Sequence, residues 1–450
     1  MSGALSGERA VVIGAGVAGR AAALALVAEG AEVRVSEARG SDALGDTDEL
    51  VDAGVDLRAD GHDRSHLEGA SLVVVSPGVP PEAPILRWAR GRAIPVWGEL
   101  ELGARLARVP YLAVTGTNGK TTTTGMIEAC LRADGLDAVA CGNIGRPFPT
   151  TAREAHDVLV VECSSFQLAL QDSFAPRVSV LLNVAPDHLD WHGTLDGYAS
   201  AKARVFAGAS PDDVHVGNRD DAVAADVSRT APCRIVWFGD GAPDPGEVGY
   251  VGDELVSRQG AAPVELGAIA TDRAGYREDA AAAAAAALAF GASTSAVAEG
   301  LSSFEPARHR GDVVAVVEGV RFVDNSKATN VHAALAALWA MHDVVLIAGG
   351  RAKGVDLAPL ASASDRLRTV VAIGEAAGEV RRIFEGLVPV HDAATIEDAV
   401  ATAFGSADRG ATVLLAPACA SWDMFRDYAE RGDRFAEAAR ALGRRAGVGG

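Results

Sequence analysis

The sequence contains one loop whose residue types and spacing are typical of phosphate binding. Gly116–Thr122 (GTNGKTT) follows the apolar run Tyr111–Thr115 and precedes a stretch of helical composition. Backbone N–H groups of such a loop bind phosphates, its lysine reaches the terminal phosphates, and the hydroxyl after the lysine is a ligand for Mg²⁺. The sequence therefore predicts a nucleoside triphosphate site formed by Gly116, Thr117, Asn118, Gly119, Lys120, Thr121 and Thr122.

Lysine is unusually scarce in this chain of 450 residues. Of its 41 basic Lys and Arg residues only four are lysines, Lys120, Lys202, Lys327 and Lys353, although lysine is normally among the commonest residues. The other 37 basic residues are arginines, so arginine replaces lysine almost everywhere that only a solvated positive charge is needed. The four lysines are therefore candidates for chemistry that a guanidinium cannot perform.

A second glycine-rich turn, Gly14–Gly19 (GAGVAG), lies near the N-terminus, and Glu37 ends the next β-branched run. Glycines in this arrangement let a pyrophosphate approach a helix N-terminus, and the acid binds ribose hydroxyls. The turn is typical of a nicotinamide or flavin oxidoreductase. It is also typical of a tight turn that packs a helix on a strand, and this motif alone leaves both interpretations open.

The composition restricts the class of protein. The 41 basic and 60 acidic residues give a net charge of −19, which disfavours nucleic acid and acidic membranes as partners because either would be repelled. The five cysteines form no CxxC pair, so neither a disulfide framework nor a zinc cage is predicted, and a reducing cytoplasm is favoured. No apolar run reaches the ~18 residues of a membrane span.

Short β-branched runs alternate with alanine-rich stretches along the chain, which is the pattern of parallel sheets with crossover helices. The predicted strands are Val11–Ile13, Glu32–Ser36, Leu72–Ser76, Tyr111–Thr115, Val158–Glu162, Val178–Asn183, Arg321–Asp324, Val344–Ala348, Thr369–Ile373 and Thr412–Ala416. Ala280–Phe290 is predicted to be a buried helix. Because the length exceeds what one core usually organises, we predict three α/β domains.

The predicted domains differ in character. Residues 1–98 form a Rossmann-like domain. Residues 99–306 form a P-loop ATPase-like domain with a small β insertion. Residues 307–450 form a second Rossmann-like domain.

Seven further motifs, taken with the phosphate loop, resemble the ATP-dependent Mur ligases, which build the peptidoglycan stem peptide. They are Gly142–Gly145 (GNIG), Glu162–Gln167 (ECSSFQ), Asn183–Asp190 (NVAPDHLD), Tyr198–Arg204 (YASAKAR), Asp324–Asn330 (DNSKATN), Gly349–Gly354 (GGRAKG) and Pro417–Phe425 (PACASWDMF). The last three are most similar to the members that add D-glutamate. The resemblance runs from the first strand to the last helix, and it implies that the first glycine-rich turn binds a nucleotide of the substrate and not a redox cofactor.

The resemblance implies a ligase that adds D-glutamate to UDP-N-acetylmuramoyl-L-alanine. ATP would phosphorylate the substrate carboxylate, and the amine of D-glutamate would attack the acyl phosphate. The negative charge of this step requires cations, and two Mg²⁺ ions are implied. Thr121 and Glu162 would hold one, and His188 and a carbamylated Lys202 would hold the other. The implied catalytic residues are Lys120, Glu162, His188 and Lys202.

The resemblance also implies three groups of binding residues. Beyond the phosphate loop, ATP would contact Arg310, Asp324 and Asn325. The UDP-substrate would contact Gly14, Ala15, Glu37, Ser76, Gly78, Asn143, Ser164 and Gln167. D-Glutamate would contact Lys327, Thr329, Lys353, Ser421 and Tyr428.

Three positions depart from the family pattern. Members usually carry an HNxxN motif that contacts adenine, where this chain has Tyr276–Ala280 (YREDA). In Asp324–Asn325 the acid precedes the amide, whereas relatives often have the reverse order or two acids. Tyr428 stands where phenylalanine is common.

The sequence also leaves other functions open. One is a related ligase with another acceptor, such as a folylpolyglutamate synthase, and another is a catalytically silent nucleotide-binding protein. An NAD-dependent oxidoreductase is the third. The leading prediction is a monomeric cytoplasmic ligase.

Overall fold

The computed structural model describes residues 3, 5–260, 262–268 and 275–446. The described residues form a mixed α/β structure with three β-sheets, which confirms the predicted fold class. They are divided between two compact units. The first unit contains the described residues within 1–184, 196–269 and 278–304, and the second contains those within 185–195, 270–277 and 305–450.

The first sheet belongs to the first unit and has five parallel strands. They are β1 (Arg9–Ile13), β2 (Glu32–Ser36), β3 (Asp56–Arg58), β4 (Leu72–Val75) and β5 (Val96–Gly98). The order across the sheet is β3-β2-β1-β4-β5. The accompanying helices are α1 (Val17–Ala28), α2 (Asp48–Asp52) and α3 (Pro84–Gly91). Since all five strands are parallel, their carboxyl ends lie at one edge, where ligands bind in sheets of this kind.

The second sheet also belongs to the first unit and has nine strands. They are β6 (Tyr111–Thr115), β7 (Ala138–Gly142), β8 (Val158–Glu162), β9 (Val178–Leu181), β10 (Val214–Asn218), β11 (Arg234–Phe238), β12 (Val248–Val251), β13 (Glu254–Ser257) and β14 (Val264–Ala268). The order is β14-β13-β12-β11-β10-β9-β6-β8-β7. The pairs from β7 to β12 are parallel, whereas β12, β13 and β14 pair antiparallel and form the predicted β insertion.

Nine helices begin in the described part of residues 99–306. They are α4 (Glu99–Leu106), α5 (Lys120–Ala133), α6 (Phe148–Thr151), α7 (Ser165–Leu168), α8 (Leu189–His192), α9 (Leu195–Ala203), α10 (Ala222–Ser228), α11 (Tyr276–Phe290) and α12 (Thr294–Ser303). In α11 every alanine from Ala280 to Ala287 is buried, which confirms the predicted buried helix.

The third sheet belongs to the second unit and has six strands. They are β15 (Asp312–Val317), β16 (Val320–Asp324), β17 (Val344–Gly349), β18 (Leu367–Ile373), β19 (Val390–Asp392) and β20 (Thr412–Leu415). The order is β15-β16-β20-β17-β18-β19, and only β15 pairs antiparallel. The helices are α13 (Val331–Trp339), α14 (Ala377–Phe384), α15 (Ile396–Gly405) and α16 (Tyr428–Ala446).

The two sheets of the first unit share one hydrophobic cluster. It extends from Val12 of β1 through Leu102 of α4 to Tyr111 of β6. Within it the Tyr111 ring lies 5.4 Å from the ring of Phe148 and 5.2 Å from that of Phe174. The central strands β6 and β8 are buried along their whole length, because helices cover both faces of a parallel sheet.

All ten predicted strands occur, with ends shifted by at most two residues. The domain boundaries near residues 98 and 306 stay a prediction. Within the part of the chain that the structure describes, no helix is both long and apolar enough to cross a bilayer.

Candidate functional site

The phosphate loop lies between β6 and α5 in the first unit. Gly119 has a left-handed backbone, with φ of +85°, and directly precedes the 14-residue helix α5. The first N–H groups of a helix have no partner within it and carry the positive end of its dipole. A side chain at Gly119 would also collide with the carboxylate of Asp279. Glycine is therefore required here, and the loop directs donors towards an anion.

Asn183, which follows β9, holds the phosphate loop in shape. Its backbone oxygen accepts from Thr117 N at 3.0 Å, and its Oδ1 accepts from Asn118 N at 2.9 Å. Its Nδ2 donates to Asn118 O at 3.3 Å. This buried asparagine is thus a positioning residue for the loop, a role that the sequence did not reveal.

Two of the four lysines converge on the same loop. Lys120 Nζ donates to the backbone oxygens of Gly116 and Thr117, both at 2.9 Å. Lys202 Nζ, on α9, donates to Gly116 O at 2.7 Å and lies 4.4 Å from the centre of the Tyr198 ring. The Lys202 side chain is buried, with 1% of the residue exposed. The structure therefore brings together two of the predicted catalytic residues.

Glu162, the last residue of β8, is the buried carboxylate of this site. Its Oε2 accepts from Thr121 Oγ1 at 2.8 Å, and its Oε1 accepts from Asn143 Nδ2 at 2.8 Å. Asn143 N also donates to Glu162 O at 2.9 Å. A hydroxyl and a carboxylate side by side are hard oxygen ligands of the kind Mg²⁺ prefers. Thr121 and Glu162 therefore fit the first predicted metal ion.

The second predicted metal site pairs a histidine with a lysine. Among the described residues no group of three or more His, Cys, Asp or Glu side chains could hold a metal ion. His188 belongs to the second unit and Lys202 to the first. An unmodified ammonium does not fit a divalent cation, whereas a carbamate would supply carboxylate oxygens.

The carboxyl edge of the first sheet carries the N-terminal part of the predicted UDP-substrate site. Ala15 N donates to Glu37 Oε2 at 2.7 Å, and Ser76 Oγ donates to Gly14 O at 3.5 Å. The Arg39 guanidinium donates to Glu37 and, against the effect of burial, lowers the pKa of that carboxyl to about 2. The structure thus brings Gly14, Ala15, Glu37 and Ser76 together, with Gly78 in the turn after β4.

The other predicted UDP-substrate residues lie at the second sheet. Ser164 caps α7, because its Oγ accepts from Gln167 N at 3.2 Å. Gln167 Oε1 accepts from Ser164 N and Ser164 Oγ, each at 2.9 Å, and its Nε2 donates to the buried Glu99 at 3.2 Å. Ser164 and Gln167 therefore form one hydrogen-bonded pair, and Asn143 is hydrogen-bonded to Glu162, two residues before Ser164.

In the second unit, the predicted D-glutamate ligand Lys353 is paired with a carboxylate. Its Nζ donates to Asp187 Oδ1 at 2.7 Å, and Asn330 Nδ2 donates to Asp187 Oδ2 at 3.2 Å. Burial raises the pKa of Asp187, but the charges of Lys353 and His188 and these hydrogen bonds outweigh it and lower the pKa. Asp187 thus orients Lys353, a role that the motif around Asp187 does not indicate.

The loop after β16 carries most of the other predicted contacts. Lys327 Nζ lies 3.9 Å from the centre of the Tyr428 ring. Asp324 Oδ1 accepts from Ser326 N at 3.0 Å, and its Oδ2 lies 2.6 Å from His309 Nδ1. Both carboxylate oxygens of Asp324 therefore have partners within the protein. Asn325 follows it in the loop, Arg310 is half-buried, and Thr329 N donates to Lys327 O at 2.8 Å.

Ser421 lies on a neighbouring loop of the same unit. Arg351 and Ala420 form an isolated antiparallel bridge, with N···O distances of 2.9 and 3.0 Å. This bridge joins the loop that carries Lys353 to the loop that carries Ser421. The two residues are thus held on adjoining backbone segments.

A buried arginine joins the loops around Ser326 and Cys419. Arg431 Nε donates to Ser326 Oγ at 2.9 Å, its Nη2 donates to Ser326 O at 2.8 Å, and its Nη1 donates to Cys419 O at 3.2 Å. Burial lowers the pKa of Arg431 to about 10, so it stays charged at neutral pH. No sequence motif distinguishes this arginine.

We expect Arg431→Lys to lower the free energy of unfolding by about 3 kcal/mol, because a single ammonium cannot replace a fork that serves two loops. Urea denaturation measures the change. Arg434→Lys is the matched control on the same helix, since the Arg434 side chain is 43% exposed and pairs with Glu397 at 2.8 Å, and we expect a change within about 0.5 kcal/mol. Equal effects of the two substitutions would contradict the role of Arg431.

The segment that replaces HNxxN brings acids to the nucleotide loop. Thr123 Oγ1 donates to Asp279 Oδ1 at 3.3 Å. Burial raises the pKa of Glu278 to about 7, with further contributions from nearby aspartates. The described structure therefore places carboxylates in the segment where the family pattern of the resemblance has HNxxN.

Three family models match the chain. The model described as the MurD-like N-terminal domain of Mur ligases matches residues 8–98. The Mur ligase middle domain matches residues 114–254, and the Mur ligase glutamate ligase domain matches residues 309–419. Each match lies within one of the three predicted domains.

Two curated proteins are similar to the chain over nearly all of its length. UDP-N-acetylmuramoylalanine–D-glutamate ligase from Frankia casuarinae is 45% identical, covering 97% of this chain and 94% of that protein. The enzyme of the same name from Thermobifida fusca is 42% identical, covering 97% and 99%. Among solved structures, UDP-N-acetylmuramate–alanine ligase from Thermotoga maritima has a TM-score of 0.60, 18% identity and coverage of 96% and 99%, a likeness of fold.

Proposed function

This chain belongs to the Mur ligase family, and we propose that it catalyses the ATP-dependent addition of D-glutamate to UDP-N-acetylmuramoyl-L-alanine. The observation that carries the substrate assignment is the identity of 45% to a D-glutamate ligase across 97% of the chain. The geometry agrees with a ligase, because the phosphate loop, Lys202 and the Glu162–Thr121 pair lie together in the first unit.

The proposed chemistry begins with phosphorylation of the substrate carboxylate by ATP. Backbone N–H groups at the start of α5 would bind the phosphates, and Lys120 would exchange its contacts with loop oxygens for the β and γ phosphates. Thr121 and Glu162 would hold Mg²⁺, which when bound neutralises charge on the transferred phosphoryl group. Asn143 would keep the Glu162 carboxylate in place through its hydrogen bond of 2.8 Å.

The second metal site is also part of the proposal. Lys202 would carry a carbamate and, with His188, would hold a second Mg²⁺. Burial of the Lys202 side chain supports this role, because the amine lies beside the phosphate loop and is shielded from bulk water. A primary amine can add CO₂ at nitrogen with loss of a proton, whereas a guanidinium cannot.

The substrates would bind through the residues predicted from the sequence. Gly14, Ala15, Glu37, Ser76 and Gly78 would contact the uridine diphosphate, and Asn143, Ser164 and Gln167 the remainder of that substrate. Lys327, Thr329, Lys353, Ser421 and Tyr428 would bind D-glutamate, with Asp187 orienting the Lys353 ammonium. Arg310, Asp324 and Asn325 would contact ATP, and His309 would orient Asp324.

Three further proposals complete the assignment. The domain boundaries lie near residues 98 and 306, in agreement with the separate ranges of the family matches. The enzyme acts as a monomer in the cytoplasm. The nucleotide of the first glycine-rich turn is part of the substrate, since both relatives are named as ligases of a UDP-sugar, and the NAD-dependent alternative has no such support.

The test is phosphate release by the purified protein with ATP, Mg²⁺, UDP-N-acetylmuramoyl-L-alanine and a panel of amino acids. We expect release only with D-glutamate, together with a product larger by one glutamyl residue. L-Glutamate, L-lysine and D-alanine are the informative controls, and omission of the UDP-substrate is the blank. Turnover with another amino acid, or with a folate acceptor, would replace the proposal with the related-ligase alternative.

A further inference from the structure

Two carboxylates of helix α4 are buried, and they have different surroundings. Glu101 accepts from Asp172 N, Ser173 N and Ser173 Oγ and pairs with Arg105 at 2.6 Å. Glu99 accepts from Gln167 Nε2 at 3.2 Å and from the backbone N–H of Phe148, and none of these partners is a cation. Both residues are almost wholly buried. A buried carboxylate costs free energy unless it is compensated, so Glu99 has the less favourable environment.

The contact with Glu99 determines where the amide of Gln167 points. Gln167 Oε1 accepts from both Ser164 N and Ser164 Oγ at 2.9 Å, so the opposite end of the amide, Nε2, faces Glu99. An amide nitrogen carries two hydrogens, and one is donated to Glu99. The other has no acceptor among the residues that the structure describes. Glu99 and Ser164 thus fix an amide that retains one free donor.

We propose that Glu99 is a positioning residue for the UDP-substrate: it fixes the Gln167 amide so that its second hydrogen is donated to an oxygen of that substrate. This inference rests on the proposed function, in which Ser164 and Gln167 contact UDP-N-acetylmuramoyl-L-alanine. Glu99 itself touches no substrate. It acts through Gln167, whose side chain can keep one direction only while both of its ends are held.

The ionisation of Glu99 gives this role a measurable signature. Burial raises the pKa of Glu99 to about 7. The ionisable groups that face it are the thiols of Cys141 and Cys163, whose pKa values burial raises so that both stay protonated. A hydrogen bond to a charged carboxylate is stronger than one to a neutral acid. Gln167 is therefore held more firmly above the pKa of Glu99 than below it.

The experiment measures the KM for UDP-N-acetylmuramoyl-L-alanine from about pH 6 to about pH 8 in wild type, Glu99→Gln and Glu99→Leu. In wild type we expect this KM to fall severalfold as pH rises. In Glu99→Gln it should be independent of pH and about 10-fold above the wild-type value at high pH, with kcat within about twofold. Glu99→Leu, which leaves Gln167 Nε2 without an acceptor, should raise KM further.

Glu101→Gln is the matched control, since Glu101 lies on the same helix and is equally buried. It should lower Tm without changing the pH dependence of KM. If Glu99→Leu does not fold, the pH dependence of KM in wild type and in Glu99→Gln still tests the role of Glu99. The same KM profile in these two proteins, in an enzyme that releases phosphate with D-glutamate, would overturn the role of Glu99. Failure of the wild type to use D-glutamate would instead overturn the proposed function.

Discussion

Replacing Lys202 by arginine is expected to lower kcat/KM on the order of 10³-fold, the scale for removing a preorganised group that stabilises charge in the transition state. The substitution keeps the positive charge of the unmodified side chain. It removes the primary amine, so the carbamate proposed for the second Mg²⁺ cannot form. The larger planar guanidinium must also enter a buried space in which Lys202 Nζ donates to Gly116 O at 2.7 Å.

The dependence of activity on CO₂ separates the loss of the carbamate from the steric misfit of the guanidinium. Wild type depleted of CO₂ should lose activity and regain it with bicarbonate, and ¹³C-bicarbonate should give a carbamate resonance. Lys202→Arg should show neither effect, and an unchanged Tm would show that the loop is intact. Full activity of the arginine variant, or a wild type indifferent to bicarbonate, would exclude a carbamate as the metal ligand.

The phosphate loop could be predicted from sequence because its residues are close together along the chain. A loop of seven residues between a strand and a helix determines where Gly119 and Lys120 lie, and β8 ends with Glu162 at the same edge of the sheet. Because β6 and β8 pair in parallel, the loop after β6 and the end of β8 lie at the same edge of the sheet. The loop motif is contiguous in sequence and the sheet that carries it is regular, so the predicted positions of the loop residues agree with the structure.

The positioning residues could not be predicted because their partners are distant in sequence. Asn330 and Asp187 are 143 residues apart, and Arg431 reaches Ser326 across 105 residues. Nothing in the local pattern around Arg431 distinguishes it from the exposed arginines of the same helix. Such pairs depend on the order of strands in the sheets, which the sequence pattern does not specify.

Ten of the twenty strands in the described structure were not predicted individually, among them β7, β10, β11 and β15 with five or six residues, and the three shortest were missed for a related reason. β3, β5 and β19 have three residues each, too few to show an alternation or an apolar run. They form because a longer neighbour offers unpaired backbone groups at its edge. Their existence is therefore a property of the folded sheet more than of their own residues.

Glu162→Gln is expected to raise the Mg²⁺ concentration needed for activity at least 10-fold, and to lower kcat/KM about 10²-fold at fixed Mg²⁺. The amide can still accept from Thr121 Oγ1 through its oxygen, so the local fold is kept. Its nitrogen then faces Asn143 Nδ2, a donor that now has no acceptor. The negative charge that would attract the cation is lost, and that loss is the larger effect.

Titration of activity with Mg²⁺ at saturating ATP distinguishes a metal ligand from a residue that only holds the loop. Thr121→Ser keeps the hydroxyl that lies 2.8 Å from Glu162 Oε2 and should keep the wild-type Mg²⁺ requirement. Excess Mg²⁺ should restore part of the activity of Glu162→Gln, because a weakened site fills at higher concentration. A variant with reduced activity but the wild-type Mg²⁺ midpoint would show that Glu162 acts on the loop and not on the metal.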